Sequence, residues 1–230
     1  MPDDSPDRVV YLHNLGLGLH SRYALTRQLT DLDEAIAAWQ EVIDQTPPGS
    51  PNWGLYVNSL GVGLLDRYAR TGSLEDLEAA LEAYRRALRH GPASERDRVG
   101  FLNNVGVGLR ECYARTGQPA DGDAAAEAYL AAVDGLDSAM LDSPVAFLIG
   151  QQAQWADLYA GAVDALAAVG RPAEALATAE GSKSRLLAGL VGRGDLPAPV
   201  AIPAKLAARE RELAAQLSAF DAAELAGRGT

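Results

Sequence analysis

Three stretches of the sequence decide the fold: HNLGLGL at residues 13–19, NSLGVGL at residues 58–64 and NNVGVGL at residues 103–109. They stand 45 residues apart and align without a gap. Tyrosine, aspartate, alanine and an aromatic residue follow each stretch at the same offset: Tyr23, Tyr68, Tyr113; Asp31, Asp76, Asp121; Ala35, Ala80, Ala125; Trp39, Tyr84, Tyr129. A fixed period of this kind indicates a repeat architecture, in which each unit covers the apolar face of its neighbour.

Each copy of the repeat predicts a pair of helices. In the first helix, apolar side chains recur at helical spacing and form one stripe: Leu12, Leu15, Leu19 and Tyr23. The second helix has a stripe of its own: Ala35, Ile36, Trp39, Val42 and Ile43. The abundance of Ala and Leu favours helices throughout, because these residues lose little side-chain entropy in a helix.

Local signals predict where the helices begin and end. Ser50 followed by Pro51 predicts a helix N-terminus, and Ser73 with Asp76 resembles a capping box. Glycines after Thr71 and Thr116 predict the ends of two long first helices.

The organisation of the chain follows from the repeat. We expect a disordered acidic N-terminus over 1–7, three repeats over 8–137 and a degenerate fourth helix pair over 138–191. The fourth pair is read as a helix from Val145 to Val169 and a partner from Ala173 to Val191. A linker containing Pro and Gly is predicted over 192–203, and an amphipathic helix over 204–230 that begins a possible further domain.

Composition excludes several classes of function. The formal net charge of −11 disfavours a nucleic-acid partner, since a surface of that sign repels phosphate. The single cysteine allows no intrachain disulfide, and the N-terminus lacks the basic and apolar parts of a signal peptide. No uncharged apolar run is long enough to span a bilayer. We therefore expect a soluble, cytoplasmic protein without membrane partners.

The repeat resembles a known family. Gly16, Ala35, Trp39, Val42 and Pro47 resemble the tetratricopeptide signature of small, small, aromatic, medium and proline residues, here in a long-helix variant. The resemblance covers roughly residues 8–137. It implies an all-α fold, a right-handed α-solenoid of helix pairs, whose first helices line a concave groove that binds a protein or peptide.

A second resemblance lies near the C-terminus. Residues 179–187, AEGSKSRLL, resemble the segment before the CHAT domain of caspase-like peptidases, whose actinobacterial members have similar YxRTG stretches at 68–72 and 113–117. This implies a regulatory or scaffold region that carries none of the peptidase's catalytic residues and has its own C-terminal domain as a partner. A free-standing adaptor or self-assembly module is the alternative.

The predicted groove is built from rows of equivalent residues on the first helices. The rows are His13, Asn58, Asn103; Leu17, Val62, Val107; His20, Leu65, Arg110; and beside them Asn14, Ser59, Asn104. Amides can donate to and accept from an extended peptide, and aliphatic residues provide apolar pockets. Two interpretations stay open, since the Asn side chains could instead only connect neighbouring helices.

We predict neither a catalytic site nor a cofactor or metal site. The GxG pairs at Gly16, Gly61 and Gly106 lie inside helical stripes rather than between a strand and a helix, as a phosphate loop requires. Cys112 replaces the arginine of the other copies, Arg22 and Arg67, and has no histidine nearby in sequence.

Overall fold

The computed structural model describes residues 6–90, 94–141 and 152–191, and side chains over 8–90, 94–136 and 155–182. Within these ranges the chain is all helical and contains no strand. The helices are α1 Pro6–Thr26, α2 Leu29–Gln45, α3 Trp53–Thr71, α4 Leu74–Arg89, α5 Glu95–Thr116, α6 Pro119–Leu141, α7 Gln152–Ala168 and α8 Pro172–Val191. The predicted all-α class is confirmed.

The chain divides into two compact units, Met1–Ser182 and Lys183–Thr230. Of the second unit the description covers only the helical residues up to Val191, the end of α8. The predicted linker over 192–203, the predicted helix over 204–230 and the predicted start of the fourth pair at Val145 lie outside the described residues.

The first unit has the order of a solenoid. Helices α1 and α2, α3 and α4, and α5 and α6 form the three repeats, and the members of each pair pack against each other. Each second helix also packs against the next first helix, so that α2 contacts α3, α4 contacts α5 and α6 contacts α7. Neighbouring first helices meet as well, α3 with α5 and α5 with α7. One apolar core runs through all of these contacts.

A buried aromatic ring stands at the centre of each repeat, against a glycine of its own pair. The rings of Trp39, Tyr84 and Tyr129 are each only 1% exposed. A Cβ placed on Gly61 would come within 2.5 Å of the Tyr84 ring, and one on Gly106 within 2.9 Å of the Tyr129 ring. Gly16 stands against Trp39 in the same way. The first glycine of each GxG pair is therefore a packing position, as the sequence predicts.

The opposite side of each ring meets a glycine of the following repeat. A Cβ on Gly63 would lie 2.8 Å from the Trp39 ring, and one on Gly161 2.8 Å from the Tyr129 ring. Gly108 faces Tyr84 and Leu81 more loosely, at 3.8 and 3.3 Å. One ring therefore joins two helices within its repeat and a third helix in the next.

In each of the first two repeats, an arginine–aspartate pair connects the first helix to the second. Arg22 donates two hydrogen bonds to the buried carboxylate of Asp31, at 2.6 and 2.8 Å. Arg67 does the same to Asp76, at 2.7 and 2.9 Å, and its third nitrogen donates to Asp33 on α2 at 2.9 Å. The second arginine thus connects neighbouring repeats as well as its own helices.

Helix ends agree with the sequence at the glycines and at the position of Ser73, and they disagree at Ser50. Gly72 and Gly117 follow α3 and α5 with φ of 75° and 67°, the left-handed conformation that terminates helices. The N-cap prediction at Ser50 is wrong, because α3 begins at Trp53 and the Ser50 hydroxyl donates to the Pro47 carbonyl. Ser73 does stand at the N-cap of α4, but it makes no side-chain capping bond.

The ring–glycine contact can be tested by overpacking. Replacing Gly61 with Leu should destabilise the fold by roughly 1–3 kcal/mol, because the new side chain has to displace the Tyr84 ring from a filled core. Gly100→Leu is the matched control, since Gly100 lies in α5 where an added Cβ meets nothing within 4 Å. Thermal and urea unfolding of both variants measure the difference. Equal stability of the two would show that the core does not depend on this contact.

Candidate protein-binding face

The predicted groove residues lie on α1, α3 and α5, with unequal exposure. Asn14 and Leu17 are exposed, and His13 and Ser59 are buried. The other predicted residues are half-buried: His20, Asn58, Val62, Leu65, Asn103, Asn104, Val107 and Arg110. The face is therefore partly accessible, and some of its polar groups are already used within the chain.

His13 is one of the groups used internally. Its side chain is enclosed between α1 and α3, where the residue is 8% exposed and its ring packs 4.8 Å from that of Tyr56. Its Nε2 is hydrogen-bonded to Ser59 Oγ at 3.2 Å. The Ser59 hydroxyl donates in turn to the Leu55 carbonyl, so His13 Nε2–H is the donor to Ser59. Burial lowers the pKa of His13, because the charged imidazolium loses solvation there.

Two further contacts join neighbouring first helices. The Asn104 amide donates to Asn58 Oδ1 at 2.9 Å, and His20 Nε2 is hydrogen-bonded to Asp66 at 2.7 Å. Both pairs, like that of His13 and Ser59, are 46 residues apart. This offset is one residue longer than the repeat of 45. Each residue therefore contacts the residue that directly follows its own counterpart on the next first helix. Part of the predicted amide ladder therefore connects helices, which is the alternative interpretation that the sequence left open.

An aliphatic row crosses the same face without such contacts. Leu17, Val62 and Val107 occupy one position of the repeat, and we call them the aliphatic row. Leu17 is 43% exposed, while the two valines are half-buried and rest against the core. The row presents short apolar side chains on three neighbouring helices, framed by the polar pairs described above.

Acidic side chains beside the row were not among the predicted site residues. Asp66 and Glu111 are half-buried and follow Leu65 and Arg110 directly in sequence. Arg110 lies 3.8 Å from Glu111, and Asp66 is paired with His20. The sequence spacing could have identified them, since Asp66 and Glu111 occupy the same position of the repeat. The face therefore carries more negative charge than the predicted residues alone suggest.

Asn14 belongs to a different surface from its counterparts. Ser59 and Asn104 each point to the preceding first helix, but among the described residues no helix stands before α1. Asn14 instead lines an open pocket of about 370 Å³ on α1, together with Tyr11, Leu15, Gly18, Leu19 and Arg22. The structure thus separates one predicted groove residue from the rest.

The surroundings of Cys112 raise the pKa of its thiol. The residue is half-buried on α5, and burial is the main cause; the charges of Asp121 and Glu78 add to the increase, while Arg85 opposes it. Glu111 acts in the predicted direction but contributes less. In the earlier repeats an arginine at this position donates to the carboxylate equivalent to Asp121, whereas here Asp121 accepts from the Thr116 hydroxyl at 3.3 Å. The thiolate, which is the reactive form, is therefore disfavoured.

Neither metal-binding nor membrane-spanning features emerge within the described part of the chain. No group of three or more His, Cys, Asp or Glu side chains there could hold a metal ion. No helix of the described ranges is long and apolar enough to cross a membrane.

Comparisons with known proteins identify no family. No family model matches the chain, and no curated protein matches it. A solved structure of a de novo designed helical repeat protein, DHR64, is similar at 20% identity and a TM-score of 0.37, over 82% of this chain and 96% of that one. The assignment therefore depends on the chain's own repeat geometry, which defines it as a helical-repeat protein of the α-solenoid class.

The buried histidine predicts a dependence of stability on pH. Its folded-state pKa is below the unfolded value of about 6.5, so the unfolded chain binds more protons as the solution is acidified. The stability contributed by neutral His13 is complete above the unfolded pKa and is lost as the pH falls towards the folded one. Between about pH 7.5 and about pH 5.5, melting temperature should fall more for the wild type than for His13→Gln.

If His13→Gln loses as much stability on acidification as the wild type does, His13 is not held neutral by burial.

The electrostatics of Cys112 predict slow alkylation and no hydrolysis. Near neutral pH, iodoacetamide should modify Cys112 in the folded chain more slowly than glutathione, because the raised pKa lowers the fraction of thiolate. In denaturant the same thiol should react at an ordinary rate. The purified chain should cleave no member of a broad peptide library. Cleavage that disappears in Cys112→Ser would place an active site within the repeats.

Proposed function

We propose that this chain is a non-catalytic protein-interaction module, a long-helix variant of the tetratricopeptide solenoid. Its binding site is the face of α1, α3 and α5 that carries the aliphatic row. The observation that supports this most directly is the partial exposure of Leu17, Val62 and Val107 at one repeat position on three neighbouring helices. Apolar side chains left accessible in register suit an extended or helical peptide segment.

The polar contacts around the row favour a prepared site. Hydrogen bonds between Asn58 and Asn104, and between His20 and Asp66, fix neighbouring first helices with respect to each other. A face whose helices are already connected loses little conformational entropy when a ligand binds. Asn103 is half-buried and its amide reaches Asn104 only at 3.5 Å, so this side chain is available to a peptide backbone.

Charge restricts the class of ligand. Asp66 and Glu111 lie beside the row, and the whole chain carries a formal net charge of −11. Arg110, the one cation among the predicted groove residues, lies 3.8 Å from Glu111. A neutral or basic segment fits this face better than an acidic one, and it associates faster at low ionic strength.

The wider role depends on the C-terminal resemblance. Residues 179–187 lie on α8 and resemble the segment before a CHAT domain, so we propose that ligand binding regulates or positions an attached caspase-like peptidase in the cytoplasm. The alternative is a free-standing adaptor or self-assembly module. One observation distinguishes these two roles. A gene that continues past codon 230 into an α/β domain with a His and a later Cys supports the regulatory role.

A peptide-display selection tests the proposed face. A library selected against the wild-type chain should yield peptides whose binding is weakened about tenfold or more by Leu17→Asp combined with Asn103→Ala, since an apolar contact and an amide are lost. The matched control is Leu25→Asp, which introduces the same charge on another exposed leucine of α1. Binding is measured by fluorescence anisotropy.

Folding and binding have to be separated in this experiment. Circular dichroism should show unchanged melting for Leu17→Asp with Asn103→Ala, because neither side chain is buried. The proposal is contradicted if the selected peptides bind the double variant as well as they bind Leu25→Asp. A library that yields no binder also counts against it.

A further inference from the structure

One face of α1 is exposed although its counterparts on α3 and α5 are covered. Tyr11 is 59% exposed, whereas the equivalent Tyr56 and Phe101 are 6% and 3% exposed. Leu15 is 41% exposed, against 6% for Leu60. We call this the α1 outer face: Tyr11, Asn14, Leu15, Gly18, Leu19 and Arg22, which line the pocket of about 370 Å³.

The equivalent faces of α3 and α5 are each covered by the second helix of the preceding repeat. On α3, Gly63 receives the Trp39 ring and the side chain of Ile36, both from α2. On α5, Gly108 receives Tyr84 and Leu81 from α4 in the same arrangement. In both cases the covering helix carries an aliphatic residue and, three positions later, an aromatic residue. Gly18 holds the equivalent position on α1, and a Cβ there would meet nothing within 4 Å.

A charged contact accompanies the apolar one. Arg67 uses two nitrogens for Asp76 and donates with the third to Asp33, which stands three positions before Ile36 on the covering helix. Arg22 uses the equivalent two nitrogens for Asp31, and its side chain is 59% exposed. Arg22 is therefore placed to donate to a carboxylate on a helix that covers α1.

We propose that the α1 outer face docks an amphipathic helix of a partner protein, one with an acidic residue, an aliphatic residue three positions later and an aromatic residue six positions later. The aromatic ring occupies the space over Gly18, the aliphatic side chain packs beside it, and the acidic residue pairs with Arg22. This surface is separate from the aliphatic row and holds a helix by the contacts that join successive repeats.

Among the described residues, a second copy offers no accessible helix of this kind. Helices α2 and α4 carry the required pattern, as in Asp33, Ile36 and Trp39, but the Trp39 and Tyr84 rings are each 1% exposed within their own cores. A copy would have to unfold a repeat to present one. A partner helix that is free to bind avoids this cost.

Peptides copied from the chain's own covering helices test the proposal. A fluorescein-labelled α2 peptide, Leu29–Gln45, should bind the full chain saturably in an anisotropy titration. The same peptide with Trp39→Ala should bind at least about tenfold more weakly, because the ring that fills the space over Gly18 is missing. An α4 peptide, Leu74–Arg89, has Glu78, Leu81 and Tyr84 at the same spacing. This peptide should also bind the full chain saturably.

Variants of the chain locate the binding site. Gly18→Leu should weaken α2-peptide binding about tenfold or more by filling the space, while leaving the melting temperature at or above that of the wild type. Gly100→Leu, the same change at an open helical glycine, should bind like the wild type. Gly18→Leu should still bind the peptides selected for the aliphatic row with wild-type affinity. This result would distinguish the two surfaces.

Three results would overturn the proposal. One is peptide binding that Gly18→Leu leaves unchanged, which would mean that the peptide displaces α2 from the core. Another is the absence of saturable binding by either peptide. The third is concentration-dependent dimerisation of the chain that Gly18→Leu abolishes, since the face would then be covered by a second copy.

Discussion

The packing of one aromatic ring between two glycines controls the register of this solenoid. Trp39 illustrates it, with Gly16 of its own repeat on one side and Gly63 of the next repeat on the other. Because neither glycine has a Cβ, the backbones of α1 and α3 both approach this ring of α2, and any side chain larger than hydrogen would push them away from it. The repeat of 45 residues places Gly61 against Tyr84 and Gly106 against Tyr129 in the same way as Gly16 against Trp39. On the second side Gly161 meets Tyr129 closely, whereas Gly108 meets Tyr84 only at 3.8 Å. The positions of the remaining core residues follow from it.

The fixed register determines which polar groups meet. Once the rings set the distance between successive repeats, a first-helix residue faces the position 46 residues later, which brings His13 to Ser59 and Asn58 to Asn104. The same geometry lets Arg67 reach Asp33 in the preceding repeat. These hydrogen bonds are consequences of the packing, and they make the first-helix face a connected surface on which the aliphatic row stays accessible.

Repetition also explains why two distinct surfaces arise from one motif. A residue that faces the next helix in the middle of the stack faces solvent at its beginning, so Gly18 is open while Gly63 and Gly108 are filled. The aliphatic row, by contrast, keeps some exposure on all three first helices. We therefore assign the two surfaces different ligands: an extended or helical peptide along the row, and an amphipathic helix on the α1 outer face.

The sequence by itself determined the helix pairs, the period, the glycine–aromatic positions and the left-handed ends at Gly72 and Gly117, because each depends on local spacing or backbone conformation. Only the tertiary structure decided which of the polar first-helix residues face a neighbour and which face solvent. The equivalent residues Asn14, Ser59 and Asn104 show the reason: their sequence context repeats, but the helix before each one differs. The capping expectation at Ser50 failed similarly, since a turn from Pro47 delays α3 until Trp53.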